Sequence, residues 1–491
     1  MAEKNRFSRL LKYLMSVAEI KNYTLAQELQ YDVSYISKWT SGQMIPSEKN
    51  EKKILNGISE CVVNGCGEEA RNKLFTNYQV DSIEELKLAV FDQLEAEYFY
   101  VKELQDNTGL DVALKTVFFP EMKLAQYIAR MRHPVLRRVS GLEVVGCMDL
   151  FAMEREYQFQ IVEDKNKHIP KGKWYQEVHY SVLLNIQADK LDYVYDVIFL
   201  VNMLERNNCI DLRLYECSQA AGRVMFVVKD DYAMSGMLVN ENYCMSVMVS
   251  EDAETCHALY RNLMSFCNRD RLLFRRITMN EMLSKHIYAH AMLALKQQWI
   301  IGHLTEHFLP EPVFEEIVEQ INDRNDSQIS IEELREIHCI TQKIMKESPI
   351  KILVYRTAFY NLVVDNELDF YDYKVHLTRT QITACIKYFL ELCRNHSGIE
   401  IKMVSGRLTS GIDYCTNPCV FLNDTVSHLR LSGEYNSMFL IDRSDMREAF
   451  EKMFEKCWHT EDRLITDREE IMTNIEHAMS GIVEKKKVPT N

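Results

Sequence analysis

The sequence predicts a multidomain protein of the α plus α/β class, with an N-terminal all-α bundle followed by a large body of two duplicated α/β lobes. Three observations predict it. Apolar residues recur at helical spacing through residues 1–60. The segments 246–267 and 436–457 align without a gap, each a buried strand followed by an amphipathic helix. The chain has 491 residues, too many for one ordinary core, and about 150 residues per domain gives roughly three domains.

Composition is that of a folded protein, with 47% hydrophobic and 26% charged residues. Scarce Gly (16) and Pro (9) favour helices and ordered loops. The longest apolar run, around 197–201, is far too short to cross a bilayer, and no apolar signal region follows the N-terminus. A cytoplasmic protein with no membrane partner is expected. The fourteen cysteines are scattered. The closest pairs, Cys61/Cys66 and Cys415/Cys419, lack C-x-x-C spacing, so buried reduced thiols are expected.

Net charge is −14, but residues 1–60 carry nine Lys/Arg against seven Asp/Glu, leaving +2 there and −16 elsewhere. In that segment Phe7, Leu10, Leu11, Leu14, Val17 and Ala18 form one face of a helix over 5–19. A second helix over 22–29 buries Leu25, Ala26 and Leu29, with Asn22 as its cap. Asp32 caps a third over 33–41 that buries Ile36 and Trp39, and Gly42 ends it. Ser47 caps a fourth that buries Ile54, Leu55 and Ile58. Two short helices joined by a tight turn are the helix-turn-helix plan. The third helix turns Val33, Ser34, Ser37 and Lys38 outward, as a groove-reading helix must.

The stretch Leu25-Ala26-x-x-Leu29, Tyr31-Asp32-x-x-x-Ile36-Ser37-Lys38-Trp39-x-x-Gly42, then Pro46-Ser47, resembles the lambda-repressor-like (Cro/CI, XRE-type) helix-turn-helix family over about sixty residues. Gln30 stands where that family has a turn Gly, Thr40 where it has Glu, and Lys21-Asn22 where it has Thr-Gln. The resemblance implies double-stranded DNA as partner, with Val33, Ser34, Ser37 and Lys38 at base edges or backbone and Lys12, Lys21, Asn22 and Lys49 at phosphates. It also implies a homodimer reading a palindrome. A bundle of this kind reused to dock protein is the other reading.

The expected domains are 1–75, the helix-turn-helix bundle, with a loop over 61–69, and 76–109, a linking helix. Ser82-Ile83-Glu84-Glu85 is a capping box, and Ile83, Leu86, Val90, Leu94, Tyr98, Val101 and Leu104 give the helix an apolar stripe. That stripe suits either a twin in a dimer or the chain's own bundle. The first α/β lobe spans 110–275, a helical inter-lobe linker 276–329, the second lobe 330–465, and a C-terminal helix with a frayed tail 466–491. Between the lobes Met248 matches Met438, Asp252 matches Asp442, and Cys267 matches Cys457. Upstream, Arg206-Asn207 before a strand at 210–214 matches Arg394-Asn395 before one at 399–403. The duplicated plan resembles a phospholipase-D-like region. The H-x-K-x-x-x-x-D signature is absent, His168-x-x-Lys171 having the wrong spacing, so the resemblance implies a scaffold without its hydrolytic chemistry.

No phosphate-binding loop, nucleophile elbow or dinucleotide fingerprint occurs, and neither an enzyme nor a cofactor is expected. The i, i+4 pairs His286/His290 and His303/His307, with Glu306, have metal-ligand spacing, though ordinary histidines are the preferred reading. Arg130, Arg132, Arg137 and Arg138 suit an anionic small-molecule or peptide effector, as do Arg269, Arg271, Arg275 and Arg276. Solvated faces paired with acids, or extra DNA backbone contacts, fit them equally. The expected function is a sequence-specific DNA-binding transcriptional regulator with a duplicated sensor and dimerisation body. The alternative is a protein-interaction factor, antitoxin-like or phage-defence related, whose bundle binds a protein partner.

Overall fold

The structure, a computed structural model, describes residues 5–484 apart from 79, 81, 108–115, 132, 139, 164–174, 188–191, 324–329, 372, 396–397, 410–411, 413–416 and 432–436. His168, Lys171, Cys415, Arg132 and the tail 485–491 thus lie outside the described residues. The chain forms two compact units, residues 1–185 with 209–268, and residues 186–208 with 269–491.

Unit 1 opens with α1 (Arg6–Val17), α2 (Asn22–Leu29), α3 (Val33–Ser41), α4 (Glu51–Gly65), α5 (Glu68–Tyr78) and α6 (Ile83–Asn107). Asn5 caps α1 by accepting from Ser8 N at 2.8 Å, and its amide donates to Gly42 O at 3.1 Å, tying the start of α1 to the end of α3. The chain turns between α2 and α3 through Gln30, held left-handed at φ 55°. This is the backbone solution the missing turn glycine calls for. Asp32 accepts from Ser34 N at 2.8 Å, and Gly42 closes α3 at φ 82°. Lys21, not Asn22, is the cap residue of α2, and it makes no side-chain cap. Ser47 precedes a short 3-10 turn rather than α4 itself. The loop expected over 61–69 is mostly helix, because Val62 and Val63 extend the buried stripe of α4. Leu86, Val90, Leu94, Tyr98 and Val101 of α6 join the same core as Phe7, Leu25, Ile36 and Trp39. Of the two partners open to the α6 stripe, the chain's own bundle takes it. The expected boundary at 75/76 therefore cuts through one hydrophobic core.

The rest of unit 1 holds β1 (Thr116–Lys123), α7 (Leu124–Met131), β2 (Leu142–Met148), α8 (Arg155–Glu163) and β3 (Tyr175–Leu184). The segment that follows β3 carries α9 (Tyr193–Arg206) and belongs to unit 2. Unit 1 resumes with β4 (Ile210–Glu216), β5 (Arg223–Val228), β6 (Tyr232–Asn240), β7 (Tyr243–Ser250) and α10 (Ala253–Met264). The sheet order is β1-β7-β6-β5-β2-β3-β4. Strands β2, β3 and β4 are parallel, and the others pair antiparallel.

Unit 2 continues with β8 (Arg275–Ile277), α11 (Met279–Ser284), α12 (Ile287–Met292), β9 (Gln297–Ile301), α13 (Glu311–Asp323), α14 (Ile331–Glu347), β10 (Ile350–Tyr355) and α15 (Arg356–Asp365). Then come the hairpin β11 (Glu367–Phe370) and β12 (Tyr373–His376), α16 (Arg379–Asn395), β13 (Ile399–Val404), β14 (Cys419–Asn423), β15 (Ser427–Leu431), β16 (Ser437–Ile441), α17 (Ser444–Trp458), β17 (Leu464–Ile465) and α18 (Arg468–Glu484). The sheet order is β17-β13-β10-β9-β14-β15-β16-β8. Strands β9, β10 and β13 run parallel, and β14, β15 and β16 follow antiparallel.

The succession β7-β6-β5-β2-β3-β4 in unit 1 and β16-β15-β14-β9-β10-β13 in unit 2 has one strand order and one set of directions. The aligned segments 246–267 and 436–457 fall on β7 with α10 and on β16 with α17. One expectation fails here. Residues 276–329 are no helical linker, since they contain β9, a central strand flanked by β10 and β14. Its first residues Gln297 and Gln298 are buried, and Gln297 satisfies its amide by donating to the carbonyls of Ala291, Met292 and Ala294. Buried amides so paired are affordable inside a sheet.

Candidate functional site

The first candidate surface is the α2–α3 pair. Apolar spacing turns Leu25, Ala26, Ile36 and Trp39 inward, which leaves Val33, Ser34, Ser37 and Lys38 exposed, with Lys12, Lys21 and Lys49 exposed and Asn22 half-buried. The helix pair also exposes side chains that the sequence reading did not single out. Tyr23 is 67% exposed and Tyr35 44%. Val33 and Met44 are also exposed. Tyr31 lies edge-on to Tyr35 at 6.0 Å, and the Lys38 ammonium stands 5.8 Å over the Tyr35 ring. The available signal was aromatic residues off the apolar stripe of each helix. Over residues 21–44 the two lysines Lys21 and Lys38 are balanced by Glu28 and Asp32, so the surface has no net charge.

The arginines expected to hold an effector do not gather into one anion pocket. Arg138 pairs with Asp231 at 2.9 Å and Glu97 at 3.4 Å, and Arg130 lies over the Phe119 ring at 4.9 Å. Nothing is described for the side chain of Arg137. The pocket Arg138 does line, of about 720 Å³, also presents Glu97, Glu143, Glu177, Asp230 and Asp231, an unfavourable setting for an anion. In the second cluster Arg275 pairs with Asp442 at 2.7 Å, and Arg276 donates to Ser437 Oγ at 2.6 Å. Arg138 and Arg275 are thus acid-paired and Arg276 is hydrogen-bonded.

The histidine pairs part company. His303 and His307 do not share a helix, because β9 ends at Ile301 and a 3-10 turn begins at Glu306. Among the described residues no group of three His, Cys, Asp or Glu is placed to hold a metal ion. Instead, the two histidines anchor a buried polar network. Glu306 Oε2 meets Arg430 Nη1 at 2.6 Å, with both side chains almost wholly buried. Tyr288 donates its hydroxyl proton to Glu306 Oε1 at 2.8 Å and therefore accepts from His307 Nε2 at 2.9 Å. That leaves His307 Nδ1 to accept from Thr305 Oγ1 at 2.8 Å, a neutral imidazole. Burial pushes His307 down to about 4, and it does the same to His338, while His428 is pushed to about 3. Burial works against ionisation of Glu306, yet Arg430 and His307 beside it hold it down to about 2.

His303 is the opposite case. Its Nε2 faces Asp369 Oδ2 and its Nδ1 faces Asn417 O, each at 3.0 Å. Nδ1 therefore donates to the carbonyl, and Nε2 stands at ion-pair distance from the carboxylate. Burial opposes a charge on the ring, but the Cys419 sulfur and Asp369 raise His303 to about 10. The trio Cys419, His303 and Asp369 has the residue types of a nucleophile, base and orienter. Its geometry is otherwise. Cys419 Sγ lies 3.6 and 3.7 Å from the two ring nitrogens and donates to the His303 carbonyl at 3.3 Å. The thiol thus points to a backbone carbonyl as its acceptor. The sequence reading missed Arg430, Asp369 and Cys419, whose partners are more than fifty positions away along the chain.

No family model matches the chain, and no curated protein matches it. Among solved structures it is similar to the phosphatidylserine synthase of Haemophilus influenzae Rd KW20, at 9% identity over 79% of this chain and 97% of that one, with a TM-score of 0.24. No helix of the described residues is long and apolar enough to cross a membrane. None of these comparisons supports the expectation of a sequence-specific DNA-binding transcriptional regulator; the matched chain is a synthase. At this TM-score the likeness assigns neither fold nor chemistry to the present chain. The uncharged α2–α3 surface points in the same direction, since duplex binding draws on several lysines or arginines that neutralise phosphates.

Proposed function

We propose that the chain is a binding protein without catalytic activity, whose N-terminal helical bundle docks a protein partner through the α2–α3 surface. The observation that carries this reading is the exposure of Tyr23, Val33, Tyr35 and Met44 on a helix pair with no net charge. Aromatic residues and methionine are enriched at protein interfaces, and lysine is depleted there. The bundle is read as a module resembling the lambda-repressor-like family, put to docking rather than to a nucleic-acid groove. The body is read as an internal duplication, supported by the shared strand order and the gap-free match of 246–267 with 436–457. A second copy of the chain is one partner this surface suits. The Cys419 thiol, directed at the His303 carbonyl, supports the reading without a nucleophile there.

The test is co-purification of the tagged full chain after nuclease treatment, with light scattering to read self-association. A variant carrying Tyr23→Lys, Val33→Lys and Tyr35→Lys is expected to lose the partner or the dimer while keeping its circular dichroism spectrum. If the association disappears with nuclease, or survives the triple variant unchanged, the docking reading is wrong.

A further inference from the structure

The carboxyl ends of parallel strands are where α/β sheets take ligands. In unit 2 a pocket of about 280 Å³ lies there, after Tyr355 of β10 and Val404 of β13. Its polar lining is Arg356, Thr357, Ser405, Arg407, Thr409 and Asn417. Ile198 and Ile412 supply apolar wall. None of the described lining residues is a carboxylate, in a chain of net charge −14 whose pocket in unit 1 presents five. Arg356 is exposed and has no ion-pair partner among the described residues.

The wall is built rigidly. Asn417 donates its side-chain amide to Thr357 Oγ1 at 3.0 Å, and its carbonyl accepts from His303. Gly302 packs so close that a Cβ there would stand 2.0 Å from Asn417 O. The buried His303–Asp369 pair thus helps to hold the pocket wall through the Asn417 carbonyl. Guanidinium forks match phosphate oxygens in pairs, and hydroxyls supply further donors.

We propose that this pocket binds a small organic phosphomonoester, with the phosphate held by Arg356 and Arg407, the Thr357 hydroxyl donating to it, and a compact neutral group against Ile198 and Ile412. The volume is at the small end for ligand sites, which excludes a dinucleotide. This site is independent of the docking surface proposed for the bundle.

Calorimetric titration of the full chain with phenyl phosphate, at fixed ionic strength, tests it. Saturable binding is expected, weakened at least ~10-fold by Arg356→Gln and by Arg407→Gln, each a loss of a charge-assisted hydrogen-bonding partner. Thr357→Val, which leaves both arginines in place, is expected to weaken it less. Exchange protection should rise at residues 404–409. Inorganic phosphate is expected to bind more weakly than phenyl phosphate, and equal affinity would overturn the organic part of the ligand. No saturable binding to the unsubstituted chain, or undiminished binding by both arginine variants, would overturn the site.

Discussion

At the scale of single residues, the firmest feature is a charge pair that the solvent does not reach. Glu306 and Arg430 are each about 98–99% covered, so neither can be screened by water. Removing one charge leaves the other stranded in a medium of low polarisability. Glu306→Gln is therefore expected to destabilise the protein by about 3–5 kcal/mol, the usual consequence of orphaning half of a buried pair. Urea unfolding followed by the fluorescence of Trp299, which stands 5.2 Å from His307, would register it. A loss below about 1 kcal/mol would place the pair among interactions that water screens. The sequence displayed both residues but not their partnership, since 124 positions separate them.

At the scale of elements, α2, α3 and the turn between them were legible from local rules alone. Their apolar positions recur at helical spacing, Asp32 caps α3, and Gly42 ends it. One departure noted in the sequence, Gln30 at the turn, is a left-handed residue at φ 55°. A side chain in that region costs about 1 kcal/mol relative to glycine. Gln30→Gly is expected to raise the stability of the bundle by up to that amount, read as a higher midpoint in denaturation followed by Trp39. A lowered midpoint would show that the glutamine contributes more than its strain removes. Strand β9 was not legible. The run Gln297-Gln298-Trp299-Ile300-Ile301 is short and opens with two amides, which reads as well for a helix end as for a strand. Only the carbonyls of 291–294, folded back beside it, make a buried Gln297 acceptable.

At the scale of the whole molecule, the two units differ in how they should respond to acid. His307, His338 and His428 in unit 2 are neutral in the folded protein, with folded values of about 4, 4 and 3. Unfolded, each titrates near 6.5. A depressed folded value means that stability is complete above about 6.5 and is lost progressively as pH falls toward 4, by roughly 1.4 kcal/mol per pH unit for each group. His303 acts in the other direction, its contribution being present below about 6.5 and lost as pH rises through about 10. Lowering the pH from 7 to 5 is expected to expose the amides of β9 and β10 to hydrogen exchange before those of β2 and β3. Simultaneous loss of protection in the two sheets would show that the acid-sensitive groups lie elsewhere.

The sequence by itself determined what depends on neighbours along the chain. These are the helix periods of residues 5–41 with the Asp32 cap, the capping start of α6, and the repeated strand-helix pattern at 246–267 and 436–457. Tertiary structure decided which strands lie at the centre, which histidines carry a proton, and which arginines face acids. Arg138 is paired and Arg356 is not, although both are arginines in an acidic chain. The physical reason is that propensity and periodicity act over a few residues, whereas desolvation and charge pairing depend on what the fold brings within 3–4 Å.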